Sequence, residues 1–214
     1  MELVKDDAIK GWRSLLGPTN TLKARDEAPE SLRAQFGTDG TKNACHGSDA
    51  PESADKELNF FFGKDSAMKT NALLNNCTCA IIKPHIIRAG LAGEIIQKIL
   101  DDGFEISAME MFHLDTSSAE EFLEVYKGVL PEFLPLVDHL SSGPCIVLEV
   151  RQENAVEALR KLCGPHDPEI AKTLRPGTIR AAYGEDRVCN AVHCTDLPED
   201  GVIECEYFFS ILQG

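Results

Sequence analysis

No Cys-x-x-C pair occurs among the eight cysteines of this 214-residue chain, which excludes the common zinc-finger and zinc-ribbon spacings. The cysteines stand at 45, 77, 79, 145, 163, 189, 194 and 205. Most have apolar neighbours, as in Pro144-Cys145-Ile146-Val147, and read as buried thiols in a reducing compartment. No apolar run approaches membrane-spanning length, and the opening Met1-Glu2-Leu3-Val4-Lys5-Asp6 lacks a secretory h-region. No membrane partner is expected, and the cytoplasm or nucleus is the expected location. Basic residues are scarce: 21 Lys and Arg face 35 Asp and Glu, a formal net charge of −14. That balance argues against a nucleic-acid surface. Any phosphate pocket must be a local basic island.

What is present begins with a repeat. Asn190-Ala191-Val192-His193-Cys194-Thr195-Asp196 has an earlier copy in Asn43-Ala44-Cys45-His46-Gly47-Ser48-Asp49. The same offset pairs Glu2 with Glu149, Arg13 with Arg160, Gly17-Pro18 with Gly164-Pro165, Arg33 with Arg180, Glu57 with Glu204 and Phe61-Phe62 with Phe208-Phe209. A register kept over that distance encodes one structural unit used twice. The expected organisation is residues 1–62 as the C-terminal half of a first domain, 63–76 as a linker and 77–214 as a complete second domain. Lacking the copy's first strand and helix, residues 1–62 are not expected to form an independent active domain.

Along the second copy, Cys77 to Lys83 reads as a strand, Leu91 to Asp102 as a helix ended by Gly103, and Phe104 to Phe112 as a strand. Ser117 is the expected cap of a helix over 119–127, and Pro131 the expected start of one reaching Leu140. Pro144 to Val150 reads as a buried strand and Glu153 to Cys163 as a helix, copied by Asp6 to Leu16. Met1 to Val4 then aligns with the end of a strand. Gly17 to Lys42 and Gly164 to Pro176 read as loops, followed by a His-bearing strand and a closing helix, Ser53 to Phe62 in the first copy. The order β-α-β-(αα)-β-α-loop-β-α predicts an α+β fold (an α/β sandwich): a ferredoxin-like split βαβ unit with an antiparallel sheet covered by helices.

His193 is the candidate nucleophile, because neutral imidazole is nucleophilic near pH 7 and can hold a phosphoryl group. A lone strand histidine is usually only a satisfied core group, but His46 repeats the same Asn, hydroxyl, Asp, Arg and Glu context. Arg160 alone could be a solvated helix residue, and Pro176-Gly177-Thr178-Ile179-Arg180 a simple turn. The whole set resembles the nucleoside diphosphate kinase family, whose signature is Asn-x-x-His-Gly-Ser-Asp. The resemblance implies a phosphohistidine on His193, with Glu204 holding the other ring nitrogen and Thr195 orienting Glu204. It implies Lys83, Arg160 and Arg180 as phosphate cations, Asn190 as a sugar or phosphate partner, and His166 where the family has a Thr. The first-copy counterparts are His46, Asn43, Arg13, Thr19, Arg33 and Glu57. Substrates would be ATP or GTP and nucleoside diphosphates, with Mg2+ held by the nucleotide phosphates rather than by protein ligands.

The second copy departs from the family pattern in two places besides His166. Gly-Ser after the His is Cys194-Thr195, and Phe122 to Phe133 lacks the family's Tyr, Arg-Pro and base-stacking Phe. A phosphotransferase of reduced activity is therefore expected. The alternative is an interaction module, because Gly-Pro-x-Asp-Pro-Glu-Ile-Ala and Ala-Val-His-Cys-Thr-Asp-Leu-Pro-Glu-Asp-Gly resemble tandem-domain members of the family. Those members are associated with ciliary axoneme microtubules and centrosomal γ-tubulin complexes, which would make tubulin or γ-tubulin complex proteins partners in the cytoskeleton.

Overall fold

A computed structural model of the chain describes residues 1–63 and 70–212. The chain divides into two compact units, Met1–Lys69 and Thr70–Gly214. Of the stretch read as a linker, 64–69 lie outside the described residues, whereas 70–76 run with the second unit.

Among its described residues the first unit has four helices: α1 (Ala8–Leu16), α2 (Thr21–Glu27), α3 (Leu32–Phe36) and α4 (Pro51–Phe62). The stretch expected to be loop, 17–42, holds two of them. Asn20 starts α2 by accepting from the Leu22 and Lys23 N–H groups, a cap the repeat offset did not expose. Neither Met1–Val4 nor the segment around His46 is a strand, contrary to expectation. A strand needs a hydrogen-bonded neighbour, and among the described residues of this unit no strand lies beside either segment.

The second unit carries one four-stranded antiparallel sheet in the order β2-β3-β1-β4, formed by β1 (Cys77–Ile82), β2 (Glu105–Phe112), β3 (Cys145–Arg151) and β4 (Val192–Cys194). Around it lie α5 (Pro84–Arg88), α6 (Ala92–Asp101), α7 (Thr116–Phe122), α8 (Phe133–Leu140), α9 (Ala155–Cys163), α10 (Pro168–Leu174), α11 (Ile179–Tyr183) and α12 (Asp200–Glu206). Three expected boundaries move. Asp115, not Ser117, caps α7 through the Ser118 N–H; α8 starts at Phe133 rather than Pro131; and the expected loop 164–176 contains α10, with Asp167 as cap and Pro168 in the first turn.

Every residue of β1 is buried, because both faces of the sheet are covered. Cys77, Cys79 and Ile81 pack with Ala119, Leu136, Cys205 and Phe208 on one side. Ala80 and Ile82 pack with Ile95, Ile99, Leu159 and Cys163 on the other. Strand alternation thus assigns each side chain a layer. Register then places the site: Ile81 lies opposite His193, so His193 projects into the layer of α7 and α12.

Sequence reading missed Glu149, which is fully buried in β3. Its carboxylate accepts from the Leu73 N–H at 2.7 Å and the Leu74 N–H at 3.0 Å. The Ser107 hydroxyl, aimed at it by a bulge in β2 between Ile106 and Ala108, also donates to it. Glu149→Leu is expected to strand these donors and cost about 3 kcal/mol of stability. A lower urea midpoint by circular dichroism would register it; an unchanged midpoint would mean that water replaces the carboxylate.

Candidate functional site

A turn built twice delivers the repeated histidine. The Val192 N–H bonds the Asn190 carbonyl across Ala191, whose φ is 72°, and the Cys45 N–H bonds the Asn43 carbonyl across Ala44, at φ 70°. Such a three-residue turn is rare and strained for a residue with a Cβ. The Lys83 N–H, bonded to the Ala191 carbonyl at 3.0 Å, helps to hold it in the second unit. Gly164, at φ 81°, ends α9 where any Cβ would lie 2.3 Å from the Thr178 hydroxyl. Its carbonyl is thereby free to accept from Arg180 at 2.8 Å.

His193 Nε2 lies 2.9 Å from a Glu204 oxygen, and the Thr195 hydroxyl donates to that same oxygen at 2.8 Å. The pair is sequestered, with side chains 10% and 16% exposed. Among the described residues no hydrogen bond engages Nδ1, and the Phe122 ring meets the imidazole edge-on at 5.0 Å. Lys83, Arg160, Arg180, Asn190, His166 and His193 all line one cleft with about 720 Å3 of empty space, its open mouth included. Glu204 and Thr195 stand behind His193.

The cations differ in what they can do. Lys83 Nζ donates to the Val188 carbonyl at 2.8 Å, and burial, aided by the Arg180 charge, pulls its pKa from 10.5 to about 7. Arg180 directs its donors to the Val192 and Gly164 carbonyls and to Cys194 Sγ. It supplies charge and holds the loops rather than offering a free fork. Arg160 is paired with Asp196, whose other oxygen accepts from the Tyr126 hydroxyl at 2.6 Å. Burial opposes ionisation of Asp196, but those two donors keep its pKa below the usual value.

His166 is no cation at neutral pH, since burial and the Arg180 charge push its pKa down to about 4. Asn190 donates to the His166 carbonyl at 3.1 Å, leaving its own Oδ1 buried with no partner among the described residues. Cys163 donates to Cys194, holding the Cys194 thiol below the ordinary range while its own rises. Sequence reasoning did not foresee the Tyr126–Asp196–Arg160 chain. Its signals were Asp196 recurring as Asp49 and Arg160 recurring as Arg13.

The first unit repeats the relay. His46 Nε2 lies 2.8 Å from Glu57, and Ser48 donates to the same Glu57 oxygen at 2.7 Å. Arg33 bonds the Gly17 and Cys45 carbonyls as Arg180 bonds Gly164 and Val192. Arg13, Thr19, Arg33, Asn43, His46 and Glu57 line a single cleft. The His46 side chain is 75% exposed, and among the described residues of this unit no lysine stands as Lys83 does.

Comparison with known proteins follows the same division. A family model described as nucleoside diphosphate kinase matches residues 1–67 and 76–213. The chain is 54% identical over its whole length to a rat protein named nucleoside diphosphate kinase homolog 7, and covers 55% of that relative. It thus spans about half the length of the curated relatives that it matches over its whole extent. It is 36% identical to a nucleoside diphosphate kinase of Aquifex aeolicus over 64% of this chain and 95% of that one. The crystal structure of the Aquifex enzyme superposes with a TM-score of 0.61, covering 64% of this chain and 96% of its own. A Halobacterium salinarum nucleoside diphosphate kinase solved in complex with CDP gives a TM-score of 0.57 at 27% identity, over 63% and 87% of the two chains.

Proposed function

Because the chain belongs to the nucleoside diphosphate kinase family, we propose that its second unit moves the terminal phosphate of a nucleoside triphosphate to a nucleoside diphosphate through a phosphohistidine at His193. The observation that carries this reading is the Glu204 anchor on Nε2, which leaves Nδ1 as the nitrogen with a free lone pair. Nδ1 attacks the terminal phosphorus, the phosphorus–oxygen bond to the leaving diphosphate breaks, and that oxygen departs with the electron pair. Glu204 stabilises the positive charge that develops on the ring. A second diphosphate then takes the phosphoryl group by the reverse path. Lys83 and Arg160 supply charge at the phosphates, and Asn190 Oδ1 suits a sugar hydroxyl, since it can only accept. Asp196, the carboxylate among the residues lining the cleft, is already engaged, as is Glu204 behind His193. That fits a Mg2+ ion brought in on the nucleotide phosphates as part of the substrate.

Activity is expected to be low against that of relatives with the full nucleotide-binding stretch. Arg160 must leave Asp196 to meet a phosphate, and Glu132, near the place of the family's stacking ring, is paired with Arg187 at 3.3 Å. The same closed arrangement favours a second reading, an interaction module of axonemal microtubules or centrosomal γ-tubulin complexes that keeps the fold with little transfer. Initial-rate kinetics with two nucleotides separate the two. Parallel double-reciprocal lines are expected of transfer through an enzyme-bound phosphate; no exchange at all would leave the scaffold reading.

Lys83 gives this site a proton signature. Its folded pKa of about 7 lies below the usual 10.5, so at pH 8 the free protein holds it mostly neutral. A bound phosphate restores the charge and draws in a proton. Calorimetry in two buffers of different ionisation heat should find uptake approaching one proton per nucleotide at pH 8. At pH 6 the lysine is already charged, and uptake should vanish. Lys83→Met should abolish the pH 8 uptake, and uptake surviving in that variant would assign the proton elsewhere.

A further inference from the structure

We propose that His85, His139 and Cys189 form a binding site for a transition-metal ion of the zinc type, separate from the nucleotide's magnesium. The three come from separate elements: α5, the last turn of α8, and the loop that leads into β4. His85 Nδ1 lies 2.9 Å from His139 Nε2, and Cys189 Sγ lies 3.9 and 4.0 Å from the two His139 ring nitrogens. One ligand atom from each residue falls within 4.8 Å of the others. A tetrahedral zinc ion with ordinary bond lengths would set nitrogen–nitrogen and sulfur–nitrogen separations of about 3.3 and 3.6 Å. The His85–His139 and His139–Cys189 separations therefore need to change by only a few tenths of an ångström.

Two further features favour the site. All three residues are half-buried, which leaves a route from solvent. Two imidazoles and one thiolate select zinc over magnesium, which prefers oxygen. A second cluster, Cys77, Glu149 and Cys205, is wholly buried, and its carboxylate already accepts from Leu73, Leu74 and Ser107. It is the poorer candidate.

An ion at this site would act as a clip. Lys83 bonds the Val188 carbonyl through Nζ and the Ala191 carbonyl through its N–H, so the metal would fasten the 188–191 segment, with Asn190 in it, to the start of α5. Cobalt(II), which reports thiolate ligation by a near-ultraviolet charge-transfer band, is the probe for the full chain, followed by metal analysis after zinc loading and dialysis. We expect roughly one ion per chain, with the band lost in Cys189→Ser and retained in Cys205→Ser. Affinity should fall at least about 100-fold in His139→Gln. X-ray absorption of the zinc-loaded unmodified chain, which depends on no variant folding, should find one sulfur and two imidazoles around the metal. No retained ion, a band that survives Cys189→Ser, or a metal shell without sulfur would overturn the site.

Discussion

His193→Ala is expected to lower nucleoside triphosphate-to-diphosphate phosphate transfer by about 1,000-fold or more and to eliminate any phosphoenzyme. The size of the effect follows from the role: with the acceptor nitrogen gone, phosphate positioning by Lys83 and Arg160 has nothing to deliver to. Glu204→Gln should be milder, about 10–100-fold, because it removes the charge opposite Nε2 but leaves the nucleophile. Imidazole added to the solution should restore part of the His193→Ala loss and none of the Glu204→Gln loss. A His193→Ala chain that transfers phosphate at the unmodified rate would remove this residue from the chemistry. Label that moves to His46 would assign that role to the first unit.

The second large effect is a gain. Leu130 lines the cleft, whereas its neighbour Val129 is 71% exposed and does not. Both positions stand near the place of the family's missing arginine, and of the two only Leu130 faces the cleft. Leu130→Arg supplies a phosphate contact, and Glu132→Phe supplies a stacking ring while freeing Arg187 from one of its two carboxylates. At about 1–1.5 kcal/mol each, the pair should tighten nucleotide binding roughly 30–150-fold. Val129→Arg, with the same added charge, should do little. If it tightens binding as much as Leu130→Arg, the gain is general electrostatics on an acidic protein and not a restored contact.

How much of this was legible in the sequence depended on whether a feature was local or repeated. The unbroken apolar run of β1 and the helical spacing of α6 and α9 are local, and each appeared within a few residues of its expected place. The His193–Glu204–Thr195 relay was legible because His46, Glu57 and Ser48 repeat it at the same offset, and the structure bonds both sets alike. The short helices α2, α3, α10 and α11 escaped because Gly and Pro on either side read as loop. Asn20 and Asp167 were the caps that could have revealed α2 and α10. The strands expected in the first copy failed for a tertiary reason, since a β-prone segment becomes a strand only beside another strand.

The rest was out of reach of spacing. Tyr126 meets Asp196 across 70 positions, and His85 meets His139 across 54. Neither pair lies on one face of any helix or strand. Glu149 stands in a run read only as a buried strand; its partners Leu73 and Leu74 sit in a stretch with no periodic pattern of its own. Arg180 is the instructive intermediate case. Its position in the cleft followed from the motif, but its hydrogen bonds go to loop carbonyls, so a residue expected to grip phosphate acts chiefly as charge and brace.

The most direct test of phosphotransfer by the second unit is to incubate the full chain with γ-labelled ATP and Mg2+, quench in alkali and map the labelled peptide. Acid-labile, base-stable phosphate is expected on His193 alone, removed when a nucleoside diphosphate is added. Label on serine, threonine or any histidine other than His193, or none after prolonged incubation, would contradict it.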